Sequence, residues 1–96
     1  MFVATLITLL FRYDAWLANG GGDYLSPEFS TYNVDGLPNG TWRGTADNYT
    51  TAVVGNLSIH WIKKVVAADP TRPFFAYVAP KAAHEPFNPA PWYVDR

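Results

Sequence analysis

The chain has 96 residues, of which 49% are hydrophobic, 17% aromatic and 16% charged, with a net charge of −1 and no cysteine. That length holds one domain at most, and the near-neutral charge excludes an electrostatic drive toward nucleic acid or an acidic membrane. Without cysteine there are no disulfides, thiolate nucleophiles or cysteine metal sites.

The apolar stretch 1–12 comes first. Met1 to Phe11 reads as a signal-like segment, as a buried strand, or as an accidental start; it lacks a basic beginning and is too short to span a bilayer. Asn19-Gly20-Gly21-Gly22-Asp23 is a strong breaker, expected to part this N-terminus from the rest of the chain. From Tyr24 to Trp42, aromatic and β-branched residues are punctuated by Asp35-Gly36 and Pro38-Asn39-Gly40. Phe29, Tyr32 and Val34 on one side, with Thr41 and Trp42 on the other, predict a β-hairpin about one of these turns.

Tyr49 to Ala68 has the period of a helix. Steps of 100° gather Val53, Val54, Leu57, Trp61, Ile62, Val65 and Val66 on one arc and Asn56, His60, Lys63 and Lys64 opposite. Asp47 or Asn48 is the expected N-cap, and Asp69-Pro70 the stop. Phe74 to Ala79 is apolar at every position, which predicts an interior strand of a parallel sheet, covered on both faces. Such a strand needs partners on both edges, so the expected class is a partial α/β domain whose sheet lies mostly elsewhere. Four Trp, six Tyr and six Phe are more than so short a chain easily buries, which points the same way.

In open α/β sheets, ligands bind beyond the carboxyl ends of the strands. The loop after this strand carries Lys81, His84 and Glu85 and is stiffened by Pro80, Pro86, Pro89 and Pro91. Asn39-Gly40-Thr41, Asn48-Tyr49-Thr50 and Asn56-Leu57-Ser58 are N-glycosylation sequons, three among six asparagines. They point to a secretory route, lysosomal or extracellular.

The run Arg72-Pro73-Phe74-Phe75-Ala76-Tyr77-Val78-Ala79, followed by His84, Pro86, Ala90-Pro91 and Tyr93, resembles the middle of a sulfatase catalytic domain. That family belongs to the alkaline-phosphatase-like superfamily and has a "kPFFlyva" strand followed by an "H-x-P" loop. The spacing, with Tyr13-Asp14-Ala15-Trp16 upstream resembling "GWDeW", is most similar to the N-acetylglucosamine-6-sulfatase branch. The resemblance covers most of residues 13–96; residues 1–12 match nothing in it.

The resemblance implies that His84 binds the sulfate ester and protonates or polarises the leaving oxygen, a role an imidazole can fill at lysosomal or neutral pH. Lys81 could pair with sulfate or a sugar carboxylate, although the family's sulfate-binding lysine normally comes from a later segment. Without the resemblance, His84 reads as a turn histidine, Lys81 and Glu85 as loop surface, and His60 as plain surface. Asp14 and Trp16 read as structural.

The family's nucleophile is a formylglycine made within "C/S-x-P-x-R", and no such motif occurs: Ser26-Pro27 has the wrong spacing. Its calcium needs about six oxygen ligands brought together. Asp14, Asp23, Asp35, Asp47, Asp69 and Asp95 are scattered and match none of its metal motifs. The expectation is a sulfatase fragment, inactive alone and binding no cofactor by itself, whose partners are the remainder of the domain and a sulfated saccharide. The alternative is a non-catalytic glycan-binding or interaction remnant using Trp16, Trp42 and Trp92 as stacking platforms.

Overall fold

The computed structural model describes residues 2–3, 13–21 and 24–94. Strands β1 (Phe2–Val3), β2 (Trp16–Gly21), β3 (Glu28–Tyr32) and β4 (Gly40–Arg43) precede helix α1 (Thr50–Ala68); β5 (Tyr77–Val78) and a 3-10 turn at Pro91–Tyr93 come after it. The sheet runs β4-β3-β2-β1-β5. β2, β3 and β4 are antiparallel, while β1 is parallel to β2 and to β5. The class is mixed α/β. Apart from the Phe2–Val3 strand, the signal-like stretch 1–12 lies outside the described residues. Among the described residues no helix is long and apolar enough to cross a membrane.

The β3–β4 hairpin forms as expected, with Phe29 opposite Trp42 and Glu28 opposite Arg43. Phe29 and Trp42 stack with centroids 6.2 Å apart, and Arg43 meets the Glu28 carboxylate at 2.8 Å. The chain reverses at Val34–Leu37, where Leu37 N–H donates to the Val34 carbonyl at 3.1 Å and Gly36 takes φ 81°. Only a residue without Cβ adopts that φ freely. Thr31, buried on the inner face, donates its hydroxyl to the Pro38 carbonyl at 2.6 Å and so ties the strand to its own loop.

Three expectations are corrected. The glycine breaker does not end the N-terminal unit: β2 runs through Gly20 and Gly21, paired along β3, with a register shift between Asn19 and Gly21. Glycine there costs backbone entropy, but the ladder and the bulge absorb it. Phe74 to Ala79 is not a covered interior strand. Only Tyr77–Val78 is extended into the sheet, at its end, and both residues are exposed. Its parallel pairing is real, but β5 stands last in the strand order, so the described sheet offers no second flank. Finally, α1 starts from Tyr49, which makes no side-chain cap. The Asn48 side chain folds back and accepts the Thr45 N–H at 2.7 Å, closing the preceding turn instead.

α1 lies on the sheet with the face its periodicity selects. Leu17, Phe29, Val34 and Val54 are buried together, with Leu37, Trp42, Val53, Leu57 and Trp61 packed around them. Burying each large side chain contributes about 1.5–3 kcal/mol, so this cluster carries most of the fold's stability. Val66, at the far end of the arc, is exposed.

Candidate functional site

Loop 79–90 is held from beneath by two tyrosines. Tyr24 and Tyr49 are buried and stack at 5.8 Å between centroids, their planes 16° apart. Backbone geometry sets them: Leu25 and Tyr49 form a β-bridge, and the Tyr24 carbonyl accepts the Thr50 N–H at 2.7 Å and the Thr50 hydroxyl at 2.8 Å. The Thr50 N–H is one of the helix's unsatisfied first-turn donors, so the same carbonyl that seats Tyr24 also closes the helix start.

Each phenol then donates upward. Tyr24 Oη donates to the His84 carbonyl, and Tyr49 Oη to the Asn88 carbonyl at 2.6 Å. Burying a tyrosine leaves its hydroxyl in need of a partner, and the loop's carbonyls supply it. Ala90 is buried beside both rings, and Trp92 meets Tyr49 edge-on at 5.8 Å. Within the loop, His84 N–H donates to the Lys81 carbonyl and Phe87 N–H to the His84 carbonyl, both at 2.9 Å. Phe87 takes φ 61°, a left-handed conformation that a bulky side chain rarely adopts.

The structure brings Lys81 and His84 onto one residue. Lys81 Nζ lies over the Tyr24 ring at 4.9 Å from its centroid, while the Tyr24 hydroxyl holds the His84 carbonyl. The His84 ring is exposed, and its Nδ1 lies 2.7 Å from the Glu85 carbonyl oxygen. A carbonyl only accepts, so Nδ1 is the protonated nitrogen and Nε2 is left for a ligand. Neutral, that Nε2 accepts a hydrogen bond; protonated, it donates one. Glu85 is exposed, with its backbone rather than its carboxylate oriented by the histidine.

His60 is elsewhere and is not bare surface. Its Nε2 meets Asp35 Oδ2 at 3.1 Å, and Lys64 Nζ meets Asp35 Oδ1 at 2.9 Å, joining the hairpin turn to the polar face of α1. The hydrogen bond from Lys64, then that from His60, holds the Asp35 carboxyl below its ordinary value.

Of the proposed stacking platforms, Trp16 lies on Tyr32 at 4.5 Å and Trp42 on Phe29, whereas Trp92 is 51% exposed. Asn39 and Asn56 are exposed; Asn48 is half-buried, its amide engaged with Thr45. A cleft of about 570 Å³ lies at the other end of α1 and includes neither Lys81 nor His84. Among the described residues there is no group of three or more His, Asp or Glu side chains that could hold a metal ion.

Tyr24 and Tyr49 are invisible as site residues in the sequence. Their only trace there is the excess of aromatics, which does not say which ring holds which loop. No known protein-family model matches the chain, and neither does any curated protein.

Proposed function

We propose that this chain is part of a sulfatase-type α/β domain in which His84 contacts a sulfate ester on a saccharide, with Lys81 beside it, and that it does not turn substrate over alone. The observation that carries the reading is the His84 ring. Its Nδ1 is committed to the Glu85 carbonyl while the ring stays exposed, so Nε2, in the protonated imidazolium, can donate to an ester oxygen. A general acid must reach the leaving oxygen within hydrogen-bond distance, and a loop clamped by two tyrosines keeps the ring in place for it.

The remainder of such a domain is the partner this reading needs. Phe87, Trp92 and Val94 are each more than half exposed, an apolar surface that suits burial against further elements. The chemistry assigned to His84 stops at binding and proton donation, because the chain carries no formylglycine motif and its described acids form no metal site. A 6-sulfated N-acetylglucosamine unit in a secretory compartment is the substrate class and location that the motif order favours.

The test is titration of the chain with N-acetylglucosamine-6-sulfate, monitored through the His84 ring resonances. A saturable shift that disappears in His84→Gln supports the reading. If the ring is unmoved while the sugar is in large excess, the sulfate-binding role is wrong. A glycan-binding remnant has one observation in its favour, the exposed Trp92; on that reading the Trp92 indole shifts and His84 does not.

A further inference from the structure

We propose that the cleft at the C-terminal half of α1 is a binding site for an uncharged saccharide ring, separate from the His84 loop. At about 570 Å³ it falls within the usual range for small-ligand pockets. It opens between the start of β2, the end of β3, the last turns of α1 and the segment after it.

Its apolar walls join four aromatic rings, Tyr13, Trp61, Phe74 and Phe75, to the aliphatic Val65, Ala68 and Pro73. Trp61 and Phe74 meet edge-on at 5.8 Å, which fixes their planes at 80° and forms a corner rather than a flat wall. A pyranose has an apolar face of C–H groups that lies on such a ring, and an equator of hydroxyls that each donate and accept. The polar lining matches that equator: Asp14 and Asp69 accept, Arg72 and Lys64 donate, and Asn33 does both. The Asp14 carboxylate takes no hydrogen bond or ion pair from the described residues, and the Arg72 guanidinium attracts the neighbouring Asp69 carboxylate without a direct ion pair.

Charge decides between ligand classes. The Lys64 ammonium is already matched by Asp35 at 2.9 Å, so the lining leaves two carboxylates against one guanidinium. A sulfated or phosphorylated ligand meets repulsion from Asp14 and Asp69, and a purely aliphatic ligand takes solvent from Asp14 and Arg72 without replacing it. A neutral polyol with one apolar face satisfies both parts of the wall.

The experiment is a titration of the full chain with methyl β-D-glucopyranoside and, separately, with glucose-6-sulfate. The readout is the four tryptophan indole N–H resonances, with the Trp61 signal identified by its loss in Trp61→Phe. The expected result is a saturable shift confined to Trp61 among the indoles, stronger for the neutral sugar. Binding should weaken about ten-fold in Phe75→Ala, and also in Arg72→Ala, which alters an exposed side chain and so spares the fold. Tighter binding of the sulfated sugar, uniform non-saturating shifts of all four indoles, or no shift at all overturns the proposal. Because His84 is not read out here, failure of this site and failure of the sulfate reading are told apart.

Discussion

The hydroxyl of Tyr49 donates to the backbone carbonyl of Asn88 at 2.6 Å, across 39 residues of sequence. Tyr49 is also the residue from which α1 starts, so the helix N-terminus and the far side of the His84 loop share one side chain. Loop position is thereby linked to the integrity of the helix start.

Tyr49→Phe removes that hydroxyl and little else. A neutral hydrogen bond contributes about 0.5–1.5 kcal/mol net, so global stability should fall by about 1 kcal/mol. The local effect should be larger than the global one: hydrogen exchange at His84 and Phe87, whose amides bond within the loop, should accelerate while the Val54 and Leu57 amides stay protected. Equal acceleration of loop and helix would show that the phenol supports the whole fold rather than the loop.

Phe29→Ala tests where the core is centred. Phe29 is 1% exposed, stacks on Trp42 and touches the cluster that α1 covers. Large-to-small changes at such positions cost about 3–5 kcal/mol, comparable with the entire stability of a small domain. Circular dichroism of the variant should show loss of the helix as well as the hairpin. A variant that keeps its helical signal with only a lowered melting temperature would mean that α1 does not depend on the sheet.

The parts of this fold legible in the sequence are those set by local pattern. The hairpin follows from alternation and from a glycine at a turn that needs positive φ, and α1 follows from its apolar arc and the stop at Asp69. β2 is hidden because Asn19-Gly20-Gly21 has breaker chemistry, and only pairing with β3 overrides it. The Phe74 to Ala79 run misleads for a related reason. Uniform apolarity says that a segment wants cover, and in the described residues that cover is missing. The site is legible only in part. Lys81, His84 and Glu85 stand out as the titratable groups of a proline-rich loop, but the tyrosines beneath them lie 60 residues away from His84 in one case and are chosen by tertiary packing.

Ser58→Ala separates stability from glycosylation. Ser58 is 4% exposed within α1, and its hydroxyl has no hydrogen-bond partner. Removing an unsatisfied buried hydroxyl from a helix, and gaining alanine's propensity, should stabilise the chain by about 1 kcal/mol. The same change destroys the Asn56 sequon. In a secretory host, the Ser58→Ala product should lose one glycan if Asn56 is used, whereas Asn56→Gln should lose the glycan without the gain in melting temperature. A Ser58→Ala protein that melts lower would mean that the hydroxyl is satisfied in solution.

Asp35 gives the fold a measurable acid limb. The hydrogen bonds from Lys64 and then His60 depress its carboxyl in the folded state, whereas in the unfolded chain it titrates near an ordinary aspartate value of about 3.9. A depressed folded value means that the unfolded state takes up the proton first. The stabilisation is therefore present above about pH 4 and is lost as pH falls through the folded value. Asp69, held by the Thr71 hydroxyl and N–H, acts in the same direction. Because the Asp35 group is exposed and screened, the effect should be modest and should shrink in high salt. Denaturant midpoints measured from pH 6 downward should fall more gently for Asp35→Asn than for the parent chain, with the two curves converging at the acid end. Parallel curves across that range would mean that the Asp35 contacts to His60 and Lys64 do not persist in solution.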